Sequence, residues 1–192
     1  MRTTMLKSGL LAVATILGGQ SGARAADTYS IDPAHTSATF KVEHLGLSWI
    51  HGRFNDVAGE FRVDSANPSS SRFALTIKSE SLDTANKKRD EHLASPDFFN
   101  AKQFPVVSFK STAVKAVEKG LEVTGDLTLH GETKPVTFLL TGGKTAEFPP
   151  GVHRRGYTTH LKIKRSDYGM DKMIPAAGDE IHIEVSFEGV KS

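Results

Sequence analysis

From residue 38 onward, apolar side chains recur at every second position through most of the chain, and this period limits the possible folds more than any other feature. Ala38, Phe40, Val42 and His44 alternate with Thr39, Lys41 and Glu43. Phe73, Leu75 and Ile77 alternate with Ala74, Thr76 and Lys78, and Leu121, Val123, Gly125, Leu127 and Leu129 with Glu122, Thr124, Asp126 and Thr128. Val136, Phe138 and Leu140 follow. Tyr157, Thr159, Leu161 and Ile163 form a less regular frame, and Ile181, Ile183, Val185 and Phe187 end the series. Side chains of a strand point alternately to its two faces, so the pattern describes antiparallel strands with one buried face. About eight such strands must bury that face in a sandwich or a closed barrel, and the pattern alone does not choose.

The connections fit. Glu118-Lys119-Gly120 and the stretch 129–135 suit hairpins, and 67–71 is a polar turn. Gly142-Gly143 and Phe148-Pro149-Pro150-Gly151 mark a long loop. Residues 84–94 break the strand pattern with good helix formers. They predict a short helix near 85–94, capped by Asp83 or Thr84 and ended by Ser95-Pro96, with an apolar loop of Phe98, Phe99 and Phe104 behind it. No low-complexity linker divides the chain, so it reads as one domain.

Residues 1–25 stand apart. Arg2 and Lys7 precede a short uncharged apolar run from Gly9 to Gly19, and Ala23-Arg24-Ala25 has the small-x-small pattern of a signal-peptidase site. This predicts a cleaved secretory signal, a mature domain of residues 26–192 and a periplasmic location. The run is too short to span a bilayer. The formal charge of +2 becomes −1 once Arg2, Lys7 and Arg24 are gone, because no acid leaves with them. Nucleic-acid binding thereby loses its electrostatic support. The absence of cysteine excludes disulfides, thiolate metal sites, a cysteine nucleophile and a lipidated cysteine anchor.

Eight histidines invite a metal reading, but none are spaced as His-x-His or His-x-x-x-His, and no metal or other cofactor is expected. Gly-x-Ser-x-Gly is absent, and no carboxylate pair stands out, so no catalytic residue is assigned. Arg89, Asp90 and His92 on the short helix read as a polar knot pinning it to His35 or His44, since buried charges persist only when paired.

Several short segments occur in a telling order: Asp32-Pro33-Ala34-His35-Thr36-Ser37, His44-Leu45-Gly46-Leu47-Ser48, Gly52-Arg53-Phe54, Arg89-Asp90-Glu91-His92-Leu93 with Asp97-Phe98-Phe99, Phe104-Pro105-Val106, Gly125-Asp126-Leu127-Thr128-Leu129-His130-Gly131 and Arg165-Ser166-Asp167-Tyr168-Gly169. Together they closely resemble the YceI-like family of secreted polyisoprenoid-binding proteins, over nearly the whole of residues 26–192. Tyr168, where the family often has Phe, and Thr36-Ser37, where it often has His-Ser, are mild departures. The resemblance implies an all-β, extended, eight-stranded antiparallel lipocalin-like barrel whose interior holds a long isoprenoid or related amphiphile. It also implies a periplasmic setting, frequent dimers and no established catalysis.

On this reading the inward phases supply the apolar wall: Phe40, Val42, Phe54 and Phe61 from the first strands, Leu75, Ile77 and Phe109 next, then Leu127, Leu129, Phe138, Leu140, Leu161 and Ile163. Phe98, Phe99 and Phe104 form a lid, and His35, His44, Arg89, Asp90, His92 and Tyr168 form a polar mouth or pin the helix. The expected function is carriage of a prenyl quinone, prenyl phosphate or similar lipid, with transient membrane contact. The alternatives are an enzyme using the histidine and Arg-Asp-x-His cluster, or a solid, non-binding stress-protective barrel.

Overall fold

A computed structural model describes residues 26–192; the predicted signal lies outside them. The strands are β1 (Asp27–Ile31), β2 (Ser37–His44), β3 (Ser48–Phe54), β4 (Val57–Val63), β5 (Arg72–Lys78), β6 (Leu82–Asp83), β7 (Val106–Val117), β8 (Gly120–Leu129), β9 (Glu132–Glu147), β10 (His153–Lys164) and β11 (Ala177–Lys191). One helix, α1 (Lys87–Leu93), lies between β6 and β7.

Strand pairing decides between sandwich and barrel. Each neighbour pair along β1-β4-β5-β7-β8-β9-β10-β11 is hydrogen-bonded, and β11 pairs back onto β1. The ring therefore closes with eight antiparallel strands, as expected. β2, β3 and β6 extend three of these strands past a joint. Tyr29 to Ile31 and then Ser37 to His44 both run along β11, separated by a turn at Pro33–His35. β3 pairs with β2 and, through Arg53 and Phe54, with β6.

Local chemistry explains the turns. The β8–β9 hairpin turns on His130 and Gly131, with φ of 53° and 82°, the paired positive values that match the twist of a two-residue hairpin. Two expectations need correction. Gly142-Gly143 is not in a loop but inside β9, where the β9–β10 register shifts in a bulge opposite Tyr157. At Gly143 a Cβ would stand 2.9 Å from the Tyr157 ring, so the ring occupies the space a side chain would need. The helix begins later than expected. Asn86, not Asp83 or Thr84, caps α1 by accepting from the Arg89 amide, because Asp83 instead accepts from the amide of Ala85, whose φ is 59°.

The barrel core has two parts. At one end Tyr29, Phe61, Phe73, Tyr157 and Phe187 pack with Val114, Val123 and Leu140 into a solid plug. Its rings are in direct contact: Tyr29 stacks on Phe61 at 5.0 Å between centroids, and Phe61 meets Phe187 edge-on at 5.5 Å. At the other end Leu129, Ile163, Tyr168 and Met170 form a smaller cluster near α1 and the Arg165–Tyr168 turn.

Candidate functional site

Between these clusters the barrel is hollow. A cavity of about 350 Å³ runs from the aromatic plug to the end that carries α1. Phe40 and Val42 of β2, Leu75 and Ile77 of β5, and Phe109 of β7 line one side. Leu127, Leu129, Phe138, Leu140, Leu161 and Ile163 line the other, and Phe54, Phe98 and Phe99 stand toward α1. Most of these side chains point inward yet keep partial accessibility, which is what an unfilled interior produces, whereas those of the plug have almost none. Glycine makes part of the wall possible. A Cβ on Gly52 would lie 2.3 Å from the Phe40 ring, so the ring lies flat across its neighbour strand.

One expected wall residue and one expected lid residue lie elsewhere. Phe61 is 1% exposed at the centre of the plug, because period two fixes a side chain's face but not its height along the barrel. Phe104 packs edge-on against His130 at 4.8 Å, outside the cavity, and fills the space above Gly131. The structure adds wall residues that the sequence reading did not name as such: Ile50, Val107, Val136, Ile181, Ile183 and Val185.

The lining residues that are also exposed, Glu43, His44, His92 and Met173, mark the mouth. Arg89 of α1 lines it too. The helix is pinned as a polar knot, but the partner is neither His35 nor His44. Buried Thr84 is the hub. Its hydroxyl donates to Asp90 Oδ1 and accepts from Arg89 Nε at 2.7 Å, while Arg89 Nη2 donates to the Thr84 carbonyl at 2.6 Å. Asp90 does not reach the cavity. His92 pairs with Asp97 at 3.0 Å, and that hydrogen bond, followed by the charge of Lys172, lowers the Asp97 carboxyl below its usual range.

His35 sits away from this mouth, bonded to Asp32 at 2.8 Å beside Arg154. Arg154 and Arg155 serve that same region, with Arg155 donating to the Gly143 carbonyl. His35, His44 and His92 do not converge, and no group of three potential metal ligands occurs among the described residues.

A second cation lines the cavity. Arg165 is 4% exposed and donates to three carbonyls, those of Gly178, Met170 and Ala177, at 2.9, 2.6 and 2.8 Å. Burial lowers its pKa, while the carbonyls satisfy its donors and fix the loop around it. Tyr168 is buried among Leu129, Ile163 and Met170 and does not itself line the cavity. It lines a separate polar recess where β9 and β10 are not paired below Leu140 and Thr159, with Lys134, Pro135 and Lys164 at its rim.

Known proteins agree with this architecture. The model of the YceI-like domain matches residues 29–189. The chain belongs to the YceI-like family. A UPF0312 protein of Pseudomonas aeruginosa is 39% identical over 191 residues, covering 97% of this chain and all of the relative. Burkholderia cenocepacia BcnA superposes with a TM-score of 0.75 at 23% identity, covering 82% of this chain and 98% of BcnA. A polyisoprenoid binding domain from Saccharophagus degradans superposes with a TM-score of 0.64 at 16% identity, covering 85% of this chain and 98% of that one. The fold is thus shared across low sequence identity.

Proposed function

We propose that the protein holds a prenyl lipid or similar long-chain amphiphile in the hollow half of its barrel and carries it without chemical change. The observation that carries the reading is the cavity: about 350 Å³, walled by aliphatic and aromatic side chains, closed by an aromatic plug and open beside α1. Apolar walls suffice for retention, since each CH₂ removed from water contributes about 0.8 kcal/mol. The barrel of the Saccharophagus polyisoprenoid binding domain has the same architecture.

The surroundings of the mouth support loading at a bilayer. Leu45, Leu47, Trp49, Met173 and Ile174 are exposed there, and the Leu45 amide bonds the Ala176 carbonyl, which ties the β2–β3 turn to the loop bearing Met173. Exposed apolar patches of this kind mark contact surfaces. Among the described residues no helix is long and apolar enough to cross a membrane. We place the protein in the periplasm, exported by the signal in residues 1–25, with dimerisation as a further property of this proposal.

Mass spectrometry of protein purified natively from periplasm, with organic extraction of its cargo, tests the reading. A stoichiometric prenyl species is the expected result. An empty protein that also refuses added prenyl lipids would overturn it. Sedimentation of the same sample reads the oligomeric state.

A further inference from the structure

Thr159 stands in the apolar phase of β10, between Tyr157 and Leu161. It is 4% exposed, lines the cavity, and its hydroxyl has no hydrogen-bond partner. Its paired neighbours are Leu140 on β9 and Val185 on β11, and Leu140 belongs to the plug, so Thr159 lies at the cavity floor. Valine has the same shape and would occupy this place without burying an unpaired hydroxyl, which is costly in an apolar interior. The cations near the mouth are committed to other partners: Arg165 to three carbonyls and Arg89 to Thr84.

From this we infer that Thr159 is a specificity-determining residue that hydrogen-bonds a neutral oxygen of the ligand, so that the oxygen-bearing end lies innermost and the hydrocarbon chain runs outward to the mouth. The inference rests on the proposed lipid cavity and narrows its ligand. The partner is an alcohol, phenol or carbonyl oxygen. A phosphate is excluded from this position, because a charge there would be surrounded by Leu140, Val185 and the plug with no counter-charge.

The test compares two probes with one chain, farnesol and the hydrocarbon farnesene, by fluorescence or calorimetric titration. Wild type is expected to prefer farnesol by about 3- to 10-fold, the range of one net hydrogen bond. Thr159→Val should bring the two affinities together, mainly by weakening farnesol, while Thr159→Ser should keep the preference. A thermal melt checks that Thr159→Val is folded, as expected for an isosteric change that removes an unpaired group. If Thr159→Val keeps the farnesol preference, the Thr159 assignment is wrong while the cavity reading stands. If wild type binds both probes but never distinguishes them, the assignment is likewise overturned. If wild type binds neither, the cavity reading fails and takes the assignment with it.

Discussion

The plug and the cavity beside it share strands β5 and β7 to β11 and the same kinds of residue, yet one is solid and the other hollow. At the plug, aromatic rings meet in the centre: Phe61 touches Tyr29, Phe73, Tyr157 and Phe187. Around the cavity, rings pair along the wall instead: Phe40 with Phe54, and, next to the plug, Phe109 with Phe138 at 5.0 Å. The difference is one of direction. Gly189 clears the space under the Phe61 ring in the plug, while Gly52 and Gly125 let Phe40 and Phe109 lie against the neighbouring backbone. Rings laid flat on the wall leave the middle unfilled. An eight-stranded barrel is just wide enough for either outcome, so ring placement decides whether it holds a ligand.

The strongest way to break the comparison is truncation. Phe61→Ala should cost about 3–5 kcal/mol in denaturant melts, while Leu127→Ala, whose side chain borders space already empty, should cost less than half as much. Equal costs would mean that the open end is packed as tightly as the plug. Enlargement tests the same contrast from the other side. Val123→Phe should lose about 1–3 kcal/mol by overpacking, whereas the cavity should absorb Leu75→Trp with a loss of under about 1 kcal/mol and a reduced capacity for lipid. Thr84→Val removes the hydroxyl that joins Arg89 to Asp90 and leaves the backbone bonds of Thr84 to both in place. A loss of about 1 kcal/mol is expected, together with faster release of bound lipid, because the change loosens the helix beside the mouth. Release kinetics matching wild type would show that α1 does not gate the cavity.

The last effect is electrostatic and belongs to the region of Asp32, on the joint between β1 and β2. The hydrogen bond from Arg154, then that from His35, holds the Asp32 carboxyl at about 2, below its ordinary 3.8. A group whose folded pKa is depressed adds stability above its unfolded pKa and loses it as the pH falls toward the folded one. Melts should therefore show an acid limb between about pH 4 and pH 2 that Asp32→Asn flattens. An unchanged limb would assign acid sensitivity to other carboxylates.

The strand phases and both hairpins were legible in the sequence because each depends on neighbours a few residues apart. Which inward residues meet empty space was not legible. Phe61 and Phe40 have the same residue type and the same phase, and only the position along the barrel, set by pairing with distant strands, sends one to the plug and the other to the wall. The Thr84 hub was missed because it joins side chains five and six residues away across an irregular turn. Thr159 did leave a signal: a polar residue in an otherwise apolar frame, whose meaning depended on the missing hydrogen-bond partner.

The ring closes between the earliest and latest strands of the described chain, where Tyr29 faces Lys191 and the Ser192 amide reaches the Thr28 carbonyl at 3.0 Å. The contact that closes the ring is therefore also among the most distant along the sequence, which places the protein with the slower folders of high contact order. It also orders events in time. While β11 is unpaired, the interior remains an open groove, so the cavity exists as an enclosed space only once the ring has closed.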